Sequence, residues 1–205
     1  MCNRVPTSCD VQKIHEEINQ LANQRFLLTT LSVTVFGLVL TMQLPKDIPV
    51  QGADIGGLHY MLSIISSIVI FFLYVLSHYT KGMQRICTSY LVVTKTSTWE
   101  MDWEEFRKRP HFGYTKPQTA LFLLINGLIV MFPFVYAFIC EQQLKPLGGM
   151  FTLILVGLAL EVLMYLMGFK NVFDLHKGVK KTWEEIKIVE NVQKDHRSGS
   201  TLLDH

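Results

Sequence analysis

Apolar and polar positions fall along this chain in long blocks, not in the two-residue alternation of strands. Four runs, Phe26 to Pro45, Ile55 to Thr80, Pro117 to Cys140 and Pro146 to Phe169, contain no Asp, Glu, Lys or Arg except Glu161 in the fourth. Each exceeds the roughly 18 residues from which a spanning helix is read, and each can cover a hydrocarbon core of about 30 Å. A backbone in lipid must satisfy its own hydrogen bonds, and runs of this length do so as helices. The pattern predicts an all-α integral membrane fold. Its four-transmembrane-helix bundle occupies residues 26–169, with spans at about 26–44, 57–80, 118–140 and 148–169. Cytoplasmic helical extensions are expected at the N-terminal arm 1–25, the middle loop 81–117 and the tail 170–205.

The extensions carry a shorter period. In the arm, Asp10 is the expected N-cap, and Val11, Ile14, Ile18 and Leu21 recur at spacings of three and four. The series continues through Arg25 and Leu28 with no Pro or Gly, so one long helix should enter the first span. A lone amphipathic helix of this length is marginal in water. The stripe therefore needs cover, from the C-terminal helix or from a second subunit. In the middle loop, Ser97 with Glu100 fits a capping box, acids precede bases and Pro110 stops the run, which predicts a helix over 97–109. Trp99, Trp103 and Phe106 share one face, followed by Arg107, Lys108 and Arg109. That face suits a lipid interface or the docking of a protein partner. In the tail, Val172, Leu175, Val179, Trp183, Ile186 and Val189 form a further helical stripe.

Charge sets the orientation. Seventeen of the nineteen Lys and Arg residues lie in the arm, the middle loop and the tail, against Lys46 and Lys145 in the two other connections. Cations concentrate on the cytoplasmic side, so both termini are expected there. The first apolar run is too long for a signal-peptide core, follows 25 residues and precedes no small-residue cleavage site. It is expected to stay as a membrane helix. Cys2, Cys9, Cys87 and Cys140 offer no zinc spacing, and the seven histidines form no local metal motif. No nucleophile–base pair or phosphate loop accompanies them. Neither an enzyme nor a cofactor is expected, and direct nucleic-acid binding is not expected either, because half of the aromatic helix is acidic.

Polar groups inside the apolar runs are the candidate chemistry. A charge at the centre of a bilayer costs at least about 2.5–3.5 kcal/mol, so Glu161 should be shielded, paired or protonated. It lies eight residues from Phe169, Asn126 lies eight from Gln118, and Thr34 eight from Phe26. At 1.5 Å per residue each sits about 12 Å from the inner boundary. The count predicts a polar layer of Thr34, Asn126 and Glu161 facing the bundle or oligomer axis. Pro133 should kink the third span. Ser63 and Ser67 give the second a small-residue face.

The run Asn23-Gln-Arg-Phe-Leu-Leu-Thr-Thr-Leu-Ser-Val-Thr-Val-Phe-Gly37 resembles the entry to the first span in small four-pass membrane proteins of bacterial antiphage defence systems, such as the Kiwa membrane subunit. That resemblance implies an oligomeric sensor of the bacterial inner membrane that holds a soluble partner on its cytoplasmic face. The expected partners are the lipid bilayer, further copies of the chain and a soluble cytoplasmic protein. The competing expectation is an oligomeric pore or ion channel.

Overall fold

The computed structural model describes residues 8–43, 55–96, 101–102, 105, 116–139, 147–169, 178–179 and 181–188. Among the described residues the chain is all-helical and has no strand. Four long helices follow in order: α1 Ser8–Gln43, α2 Ile55–Thr94, α3 Lys116–Ile139 and α4 Leu147–Gly168. Residues 181–188 add a short α5. Each of the four long helices is long and apolar enough to cross a membrane, the property of a multi-pass membrane protein.

Two compact units share these elements. The first takes Met1–Asn23, Thr80–Phe112 and Leu175–His205; the second takes Gln24–Tyr79 and Gly113–Asp174. Both α1 and α2 run without interruption through a unit boundary.

In the second unit, the core gathers Ile70, Leu73 and Tyr74 of α2, Phe122, Ile125 and Ile129 of α3, and Met164 of α4. Leu28, Val35 and Phe36 of α1 pack against it. Small residues set how closely α3 and α4 approach, as expected where helices pack without a hydrophobic drive between them. A Cβ on Gly157 would stand 2.5 Å from a Val130 methyl of α3, and one on Gly168 would meet the Thr119 side chain of α3 as well as the Tyr74 hydroxyl of α2 at 2.5 Å. These contacts fix an antiparallel register in which Val130 meets Gly157, Asn126 meets Glu161 and Thr119 meets Gly168. Pro133 lies inside α3 and is buried.

In the first unit, α2 ends in a well-satisfied cap. Lys95 takes a left-handed φ of 54°, Lys95 N–H donates to Val92 O at 3.1 Å and Thr96 N–H to Leu91 O at 3.3 Å. This is the Schellman arrangement, which returns donors to the last turn's open carbonyls. Lys187 Nζ of α5 donates to Val93 O at 2.7 Å, and Trp183 packs edge-on against Tyr90 with ring centroids 5.0 Å apart. α2 continues for fourteen residues past Thr80, the expected end of the second span, into the stretch where a helical extension is expected. Asp10 lies in the first turn of α1, not at its cap, where its carboxylate still complements the helix dipole.

Candidate functional site

The site is built on the facing sides of α3 and α4. Asn126 is 0% exposed, and its Nδ2 donates to Glu161 Oε1 at 3.4 Å. The carboxyl reaches α3 because Gly127 has no side chain: a Cβ there would stand 3.2 Å from Glu161 Oε1. Glu161 is half-buried, and no cation pairs with it among the described residues. Asn126 Oδ1 is buried with no hydrogen-bond partner among the described residues, and the same holds for Ser67 Oγ of α2. A buried polar atom left unpaired costs about 1–3 kcal/mol, so both mark places where a further polar group or a water belongs.

Thr34 does not join this pair. Its side chain is exposed, and its hydroxyl donates back to Thr30 O at 3.1 Å. The depth count had set Phe26 level with Gln118, whereas Gln118 Nε2 donates to Thr29 Oγ1 at 3.1 Å. From that level Thr34 stands about 7.5 Å along its helix and Asn126 about 12 Å along its own. Three residues of error were enough to separate them, and rotation about the α1 axis turns Thr34 outward.

A second cluster lies one to two turns from the first. Arg25 donates to Gln118 Oε1, and Gln118 Nε2 donates to both Thr29 Oγ1 and Ser77 Oγ, the latter at 2.7 Å. One amide thus links α1, α2 and α3. Next to it, the Tyr74 hydroxyl donates to Met164 O at 3.1 Å and lies 3.5 Å from Thr119 Oγ1. Sequence reasoning missed this cluster and the helix face behind it. Tyr60, Ser63, Ser67, Ile70, Tyr74 and Ser77 follow a three–four spacing on α2 and are all buried. Ser63 and Ser67 mark part of this face in the chain as small residues, but apolar periodicity does not join Tyr60, Tyr74 and Ser77 to them.

The remaining expected residues fall elsewhere. Val11, Ile14, Ile18 and Leu21 are each half-buried on one face of α1 in the first unit, where Glu17 exerts its charge on Cys87 of α2. Trp99, Trp103, Phe106, Arg107, Lys108 and Arg109 lie outside the described residues, as do Val172, Leu175 and Val189 of the tail. Val179 and Trp183 are half-buried, and Ile186 is exposed. Among the described residues no group of three His, Cys, Asp or Glu side chains could hold a metal. No protein family, curated protein or solved structure matches the chain.

Proposed function

We propose that this chain is a four-pass subunit of the bacterial inner membrane, with both termini cytoplasmic, that assembles with copies of itself and signals to a soluble cytoplasmic protein. The role is sensing and scaffolding, without catalysis, and the likeness of residues 23–37 to antiphage membrane subunits suggests defence as its setting. The observation that carries the reading is the length of two unbroken helices. α1 has 36 residues and α2 has 40, hence about 54 Å and 60 Å of rod against a hydrocarbon core of about 30 Å. A single rod that spans the bilayer and continues beyond it transmits a change in tilt or packing to its soluble end. The Asn126–Glu161 pair is the part of the bundle most sensitive to such a change, because a displaced carboxyl in lipid loses its donor.

The test interrupts the rod. Insertion of two glycines after Asn23 should leave membrane level and oligomeric size unchanged while abolishing the cellular response to phage challenge. A full response would overturn the coupling. Glu161→Gln should impair assembly or signalling, and loss of neither would remove the switch role.

A second reading is an oligomeric pore. It needs polar groups along one helix face turned to an axis between copies; Ser63, Ser67, Tyr74 and Ser77 share one face of α2, but that face is buried within the single chain. Steady ion flux through proteoliposomes, abolished by Ser67→Leu, would favour the pore over the sensor.

A further inference from the structure

We propose that Glu161, Asn126 and a water held by Ser67 form a site that reversibly binds a proton, exchanging with the end of the bundle at which Gln118 lies. The proposal rests on α3 and α4 spanning the bilayer and not on the sensor role.

Asn126 suits both states of its neighbour. Its Nδ2 donates to a carboxylate, as the 3.4 Å contact shows, and after the amide turns over its Oδ1 accepts from a carboxylic acid. In either state one amide atom is left over, and it is fully buried. Ser67 supplies a second unpartnered buried atom. The pairs Ser77–Gln118, Tyr74–Phe122 and Tyr60–Phe134 set the register of α2 on α3 and place Ser67 within about one turn of the level of Asn126. Two polar atoms without partners near one level are what an internal water bridges.

The way in is a ladder of hydroxyls. Tyr74 Oη bonds Met164 O, three residues along α4 from Glu161, which sets the hydroxyl within about one turn of the carboxyl's level. Tyr74 Oη also meets Thr119, the neighbour of Gln118, whose amide touches Ser77 and Thr29. Few other titratable groups lie near. α3 has no Asp, Glu, Lys, Arg or His between Pro117 and Ile139, and α1 has none between Phe26 and Gln43. α2 presents Tyr74 and, with ring centroids 6.1 Å from it, His78; α4 itself carries Tyr165 one turn away, and Arg25 brings a cation to the lower cluster. On binding, an O–H bond forms on a Glu161 carboxylate oxygen. The proton comes from a hydronium ion in the aqueous phase at the Gln118 end, which leaves as water, and release reverses the step.

The full chain in liposomes, without any partner protein, tests this. Dicyclohexylcarbodiimide adds to a protonated carboxyl in an apolar setting, and intact-mass and peptide analysis locate the adduct. Expected is one adduct on Glu161, absent in Glu161→Gln, whose rate of formation falls as pH rises. Asn126→Leu removes the donor that favours the carboxylate, so its adduct should still form at pH values where the wild-type chain has stopped reacting. Should the variants fail to fold, the carboxylic C=O stretch of the wild-type chain, followed by infrared spectroscopy as pH is varied, reads the same change. No adduct on Glu161, or a rate and a stretch that do not change with pH, would overturn the proposal. Because no partner is present, either result leaves the signalling test standing on its own.

Discussion

Gly127 is the residue on which the Glu161 contact depends. With a Cβ site 3.2 Å from the carboxyl oxygen, Gly127→Ala forces Glu161 back by a few tenths of an ångström. Asn126→Leu removes the bond outright, and interhelical polar bonds of this type contribute about 0.6–2 kcal/mol. A loss of that size is expected in SDS unfolding of the reconstituted chain, and unchanged stability would mean the contact is idle. The partnership of Asn126 with Glu161 was legible in the sequence because both lie in one antiparallel pair joined by a short connection. Thr34 was misread because nothing in an apolar run marks which residue begins a helix's contact with its neighbours. That starting point is set by Thr29 on Gln118, a side-chain bond invisible to hydropathy. In the first unit, beyond Lys81 and Arg85, burial and then the Glu17 carboxylate hold the Cys87 thiol above the ordinary thiol range. The thiol is the form that packs, so the stabilisation is present at low pH and is lost as pH rises from the unfolded thiol's value through the folded one. Alkylation of Cys87 by iodoacetamide should therefore be slow at about pH 8.5, where a free thiol is half ionised. Glu17→Gln should speed it modestly, since burial is the larger cause.

Among the elements, α2 shows why a charge pattern and a helix boundary differ. Lys81 ends the charge-free run but not the helix, because Lys and Arg are good helix formers. The end comes at the Lys95 turn, where α5 contributes Lys187 to an open carbonyl. Lys95 occupies a left-handed position that glycine takes without a Cβ penalty. Lys95→Gly should raise the melting temperature of the chain, by the equivalent of about 1 kcal/mol. A fall would mean that the Lys95 side chain has a role of its own. At the other contact, Gly157→Val inserts methyls where Val130 already stands, and overpacking of this kind costs about 1–3 kcal/mol. Differential scanning of Gly157→Val in detergent should show that loss, with Gly37→Val, at a glycine with nothing within 4 Å, as the harmless control.

For the whole molecule, seventeen cations on one side and four apolar helices define how the chain sits in a membrane under the proposed topology. Cys9 is exposed on the arm. A membrane-impermeant maleimide should label it in inside-out vesicles and not in intact spheroplasts; labelling in spheroplasts would invert the topology. Hydropathy made the four helices legible, since each is a property of composition over a long window. The polar clusters between them were not, because they depend on rotation about each axis. Phe26, Phe72, Phe138 and Phe151 point outward at 60% exposure or more, so a large apolar surface is available to lipid or to neighbouring copies.

The Gln118 amide also dictates an order of biogenesis. It bonds Arg25, Thr29 and Ser77, and its bond with Arg25 joins residues 93 positions apart. When α1 leaves the ribosome, the acceptor that Gln118 offers Arg25 has not yet emerged. Under the proposed topology α1 enters the bilayer first, and its guanidinium waits at the headgroup level until α3 arrives. The latch closes late in assembly, and a nascent chain that stalls before residue 118 lacks it.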